Sequence, residues 1–189
     1  LLDEFREAAR RERYACHAGR ALDFGVGRGR DAIGTVVRGL LDLTEDADHA
    51  TRAAAAAQGG KAERQIHLND LLDVAQPDEL RAIHDAMDNE TRVRGRSETV
   101  VALAREKAEE APLLITVEDV HWADPTVLRP LAEIATLAGE SRVILVMTSR
   151  IEGDPVDQAW RGAARGAPMI TIDLGPLRAT DAVEFARAY

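Results

Sequence analysis

Two unbroken apolar runs of strand length, LLITV at 113–117 and the VILVM inside RVILVMTSR at 142–150, constrain this chain more than any other feature. A strand with one wet face alternates apolar and polar residues, so a strand without alternation is buried on both faces. Between the runs, Asp124 and Pro125 read as a helix opening, with the aspartate as cap and the proline in the first turn, where its missing N–H costs nothing. Doubly buried strands separated by helices predict an α/β fold built on a parallel sheet covered by helices.

The rest of the chain fits around that sheet. Leu1, Leu2, Phe5, Ala8 and Ala9 repeat at helical spacing among charges, which predicts an amphipathic helix over 1–13. YACHAGRAL at 14–22 reads as a strand, followed by a glycine-rich turn and a helix from about Asp31 to Leu43. Residues 45–95 are acidic, rich in alanine and broken by Gly59, Gly60 and Pro77, which predicts several short helices with no evident chemistry. Ser97 is a good N-cap for a helix that runs to about Glu110 and ends at Pro112. ITIDL at 170–174 predicts a further strand, and a last helix begins near Thr180.

With 189 residues, 46% of them apolar, the chain is long enough for one α/β domain with a substantial core. Its formal charge of −9 gives no attraction to nucleic acid or to anionic membrane surfaces, so neither is an expected partner. Cys16 stands alone and is expected to be a small buried apolar residue; no Cys/His cluster has zinc spacing, which points to a reducing cytoplasm. No apolar run approaches the roughly 20 residues of a membrane span, and no secretory signal is visible. The opening LLDEF already lies inside a helical pattern and lacks an initiating Met, which suggests a piece of a longer polypeptide.

The chemistry concentrates in LLITVEDVHWADP, 113–125. Glu118 and Asp119 emerge together at the carboxyl end of a central strand, where ligands sit in open α/β sheets. One such acid can hold Mg²⁺ while its neighbour orients or deprotonates the water that attacks a γ-phosphate. Two solvated acids at a strand end are the bland alternative. His121 is expected either to sense nucleotide or to make one ordinary hydrogen bond. Trp122 reads as a packing anchor, and Asp124 as a cap contributing about 1 kcal/mol. His17, His49, His67 and His84 share no spacing and suggest no role.

LLITVEDVHWADPTVLRPLAEIA resembles the Walker B segment of the signal-transduction ATPases with numerous domains, as attached to bacterial class III adenylate and guanylate cyclases and to large LuxR-type regulators. RVILVMTSR is similar to the strand that carries the family's sensor residue, and LGPL at 174–177 resembles its link to a helical lid. The likeness covers residues 97–189 and, more loosely, 1–44. It implies an AAA-type P-loop NTPase core over 1–174, with 45–95 as a helical insertion or connecting region, and the start of a helical lid at 175–189. It implies ATP and Mg²⁺ as cofactors, Glu118 and Asp119 as metal-binding and catalytic acids, and Arg150 reading the γ-phosphate. Thr148 and Ser149 assist Arg150 in that mapping, and Pro176 packs near adenine. A salt bridge from Arg150 to Glu118 or Asp119 is the alternative for that arginine.

One stretch remains to be placed. In GRGRDAIGTVV, 27–37, Gly29 and Gly34 have the spacing of a phosphate loop, but Thr35 and Val36 occupy the positions of its Lys and Ser or Thr. The resemblance implies that it is a decoy, a variable loop after the second strand of a core whose first strand and phosphate loop precede Leu1. The rival reading keeps it as a degenerate phosphate loop, since strand, glycine loop and helix is the right order. The chain is then expected to bind ATP weakly or not at all by itself, and to expose sheet edges prone to pairing and homo-oligomerisation. The expected function is a regulatory ATP-binding and ATP-hydrolysing module passing its state to an attached output domain. The alternative is a non-catalytic interaction scaffold that keeps the fold without turnover. Cyclase chemistry within these residues lacks the paired metal-binding aspartates it needs.

Overall fold

A computed structural model describes residues 1–22, 32–176 and 178–188. Among these, a three-stranded parallel sheet runs in the order β1 (Ala15–Arg20), β2 (Leu113–Glu118), β3 (Val143–Met147), with β2 central. Leu113 sits opposite both Ala15 and Val143, so the three strands start level and their carboxyl ends finish side by side. The expected α/β class with a parallel sheet is present.

Side-chain alternation divides this sheet into two unequal faces. Leu113, Ile115, Val117 and Val143 point into the main core, against α2 (Ala32–Leu40), α6 (Asn89–Glu110) and α7 (Pro125–Ala138). Leu114, Thr116 and Glu118 point the other way. There α1 (Leu2–Arg11) packs against β1 and reaches β2, with Arg6 Nη1 donating to Thr116 Oγ1 at 3.1 Å. All five residues of LLITV are buried, as a run without alternation requires. The VILVM run departs from the expected double burial: among the described residues β3 is covered on one face, and Ile144 is 39% exposed on the other.

Residues 49–86 supply three short helices, α3 (His49–Gln58), α4 (Ala62–Leu71) and α5 (Asp78–Ala86), in line with the broken helical pattern. Helix α4 packs on α6 and ties the layer to the core. Beyond β3 come α8 (Gln158–Ala163) and α9 (Ala179–Ala188). No helix among the described residues is long and apolar enough to cross a membrane.

Two further local expectations fail. Helix α6 begins at Asn89 rather than after Ser97, capped by Asp88, whose carboxylate accepts from the Thr91 amide at 2.7 Å. Ser97 lies inside it, 2% exposed, with its hydroxyl unpartnered among the described residues. ITIDL forms no strand; Ile170, Ile172 and Leu174 are 90%, 74% and 72% exposed. A strand is made by cross-strand backbone bonds, and none of the described strands pairs with this segment. Of GRGRDAIGTVV, residues 27–31 lie outside the described residues, while 34–37 fall within α2, with Val36 and Val37 fully buried.

Two histidines that the sequence left without a role are seated on helix glycines. The His17 ring of β1 lies against Gly39 of α2, where an added Cβ would stand 2.6 Å from Nδ1. The His67 ring of α4 lies against Gly95 of α6. Nε2 of His17 and Nδ1 of His67 are buried without a partner among the described residues. Burial holds both imidazoles below their ordinary value; Asp42 and Lys107 modulate His17, and Asp70, Arg96, Glu98 and Glu63 modulate His67. The unfolded chain therefore takes up protons first as pH falls below about 6.5. Stability is complete above that pH and declines as pH drops toward the folded values. Urea midpoints are expected to fall between pH 7.5 and 5.5, above the carboxylate range, and the decline should flatten in the double variant His17→Gln, His67→Gln.

Candidate functional site

The site is built at the carboxyl tips of β2 and β3. Strand β2 ends at Glu118, and Asp119 then adopts a left-handed conformation, φ 59° and ψ 37°. Non-glycine residues pay strain in that region, and such strain gathers where side chains must be aimed. Here it turns the chain into a single 3-10 turn, Val120–Trp122. Asp124 then caps α7, its carboxylate accepting from the amides of Thr126 at 2.7 Å and Val127 at 3.3 Å, with Pro125 in the first turn. The expected cap geometry is present.

Thr148 joins the two tips. Its amide donates to the Val117 carbonyl at 3.0 Å, its carbonyl accepts from the Val120 amide at 2.9 Å, and its hydroxyl accepts from the Asp119 amide at 3.1 Å. The threonine thus holds the backbone on which both acids stand.

The carboxylates themselves face arginines from two other elements. Glu118 meets Arg6 Nη1 of α1 at 3.2 Å and Arg20 Nη2 of β1 at 3.9 Å. Asp119 accepts from Arg20 Nε at 2.9 Å. The two guanidinium groups differ in setting: the Arg6 side chain is 13% exposed and the Arg20 side chain 62%. Arg6 is gripped from three sides, by Thr116, Glu118 and Asp3. Its hydrogen bond to Asp3 is the largest of the effects that raise its pKa, followed by that to Glu118; the same contact with Arg6 lowers that of Asp3.

Arg150 is elsewhere. Its guanidinium lies 5.9 Å from the centroid of the Trp122 ring, a cation–π contact, and among the described residues neither acid is ion-paired to it. The salt bridge considered for Arg150 is therefore replaced by bridges to Arg6 and Arg20. Trp122, expected to be a packing anchor, is 44% exposed, and its ring sits 4.9 Å from that of His121. Both ring nitrogens of His121 are buried and have no partner among the described residues, so of its two expected roles the ordinary hydrogen bond is not made there. Ser149 is exposed, its hydroxyl donating to the Arg150 carbonyl at 3.1 Å. Pro176 lies exposed in the irregular segment before α9.

Sequence reasoning missed Arg6 and Arg20. Arg6 is a charged residue in phase with the helix face marked by Leu2 and Ala9. Arg20 pairs directly across the ladder with Glu118. The first signal was readable as a charge on an apolar stripe; the second required the register.

No group of three or more His, Cys, Asp or Glu side chains that could hold a metal ion is found among the described residues. The donor chemistry at the tips still suits Mg²⁺, which takes hard oxygens and is commonly bound by one or two carboxylates plus phosphate oxygens and water. The Thr148 hydroxyl keeps a second lone pair beside them. A surface groove of about 590 Å³, lined by Ala82, Ile83, Ala86, Met87, Asp88 and Thr91, lies at α5 and the start of α6, remote in sequence from these acids. No family model, curated protein or solved structure matches the chain.

Proposed function

We propose that this chain is part of a regulatory module that binds and hydrolyses ATP within a multidomain signalling protein, such as a nucleotide cyclase or a transcriptional regulator. One observation carries the reading: an adjacent Glu-Asp pair stands at the carboxyl end of the central strand of a parallel sheet, with a hydroxyl-bearing residue at the next tip. That is where open α/β sheets bind ligands. The residue resemblance in EDVHWADP supplies the rest. Glu118 would hold Mg²⁺ and Asp119 would polarise the attacking water, or the reverse. Mg²⁺, when bound, supplies countercharge to the phosphates. Arg150 would leave the Trp122 face to meet the γ-phosphate. The lysine-bearing cradle for the β- and γ-phosphates has no counterpart in residues 1–189, so the core proposed here lacks its first strand and phosphate loop.

A second reading, a non-catalytic scaffold with the same fold, is favoured by the arginines already neutralising both acids. Titration with a fluorescent ATP analogue and Mg²⁺ separates the ideas. The chain alone is expected to bind weakly or not at all, and micromolar affinity would show that the cradle is not missing. In a polypeptide carrying G-x-x-x-x-G-K-[ST] ahead of Leu1, MgATP should bind and turn over, and Asp119→Asn should abolish turnover. Turnover indifferent to Asp119→Asn and to Glu118→Gln would leave only the scaffold.

A further inference from the structure

We infer that Arg20 is a displaceable clamp on the acid pair, and that these carboxylates accept a divalent cation only as its guanidinium is released. The inference rests on the metal-binding reading of Glu118 and Asp119 and adds a control on that site.

The two arginines are built for different tasks. Arg6 is largely buried, and its bonds to Thr116, Glu118 and Asp3 fix α1 on the sheet. Releasing it would leave a buried charge unpaired, which is strongly unfavourable. Arg20 has no such anchorage. Its side chain is 62% exposed, and among the described residues its partners are the two acids, Asp119 at 2.9 Å and Glu118 at 3.9 Å. Exposed ion pairs of this kind are weak and screened by salt. Its backbone stays fixed when the side chain moves, since the Ala21 amide donates to the Glu118 carbonyl at 2.8 Å.

A guanidinium bonded to a carboxylate opposes a metal there in two ways. It occupies oxygen lone pairs, and its charge repels the incoming cation over a few ångströms. The competition is reciprocal: a bound cation weakens the hold of Arg20 by the same factor by which the paired guanidinium weakens cation binding. Arg6, remaining on Glu118, leaves Asp119 as the acid whose oxygens become free first. An anionic ligand that pairs with Arg20, a phosphate group for example, would open the acids to a cation and so couple the two binding events.

The test uses Mn²⁺ alone, with the free ion followed by electron paramagnetic resonance, so that no nucleotide or turnover is needed. Arg20→Gln should bind Mn²⁺ roughly tenfold more tightly than the unaltered chain, the scale expected when one charge a few ångströms away is removed. Arg81→Gln on α5 removes the same charge from a remote exposed pair with Asp78 and should leave binding unchanged. Adding Asp119→Asn to Arg20→Gln should cancel the gain. If Arg20→Gln binds no more tightly than Arg81→Gln while Asp119→Asn still weakens binding, the clamp is wrong and the acid pair stands. If Asp119→Asn and Glu118→Gln both bind Mn²⁺ like the unaltered chain, the pair is no metal site and both ideas fall. Circular dichroism and thermal midpoints confirm that each variant is folded.

Discussion

Trp160→Ala is expected to destabilise the protein by about 3–5 kcal/mol, the range for deleting a buried aromatic from a packed core. Trp160 is 7% exposed and belongs to the main hydrophobic cluster. Its indole Nε1 donates to the Leu128 carbonyl of α7 at 2.9 Å, which satisfies the polar end of an otherwise apolar side chain. Helix α8 has only six residues and is capped by Asp157, which accepts from the Trp160 amide at 2.8 Å. So short a helix draws its stability from tertiary packing rather than from propensity. The variant should lose amide-exchange protection in α8 first, and its urea midpoint should fall with it. Trp160→Phe should recover much of the packing but not the hydrogen bond. A midpoint within experimental error of the unaltered chain for Trp160→Ala would show that α8 contributes nothing to the core.

Gly95→Ala carries the second large effect, and its sign opposes helix propensity. In an exposed helix interior the change would stabilise by about 1 kcal/mol. Here the new Cβ would overlap Nε2, Cε1 and Cδ2 of His67, a rigid ring buried between α4 and α6. Overpacking of this kind costs about 1–3 kcal/mol and outweighs the propensity gain. The double variant Gly95→Ala, His67→Ala removes the overlap. Its stability should therefore exceed the sum of the two single changes, a favourable coupling that only residues in contact show. Additive effects would mean that ring and glycine do not touch.

Gly95 also explains where the sequence misled. The sequence places a helix start at Ser97, two residues beyond it, because serine is a good N-cap. The glycine in fact marks a close approach within α6, and the helix begins at its Asp88 cap. ITIDL fails for a different reason. Its β-branched composition favours a strand, but propensity cannot supply a neighbour, and its isoleucines remain in solvent. Gly34 through Val37 lie inside α2, while the glycines at 27 and 29 fall outside the described residues.

The candidate site was legible as chemistry and not as geometry. Glu118 and Asp119 were evident as acids at a strand tip and Asp124 as a cap, whereas Thr148 entered only through the family resemblance, as a residue beside Arg150. The partners of the acids were not, because Arg20 stands 99 residues from Asp119 and Arg6 stands 112 from Glu118.

By itself the sequence determined the class of fold, since apolar strand-length runs separated by helices make the sheet parallel, although of the two runs only LLITV is buried on both faces. It also determined the place of the acids, since a strand's length fixes where its tip falls. Only the tertiary structure decided what those acids touch. Strand register sets Arg20 beside Glu118, and the docking of α1 sets Arg6 beneath it. Such contacts depend on distances across the fold, and a linear pattern of residues carries no measure of them.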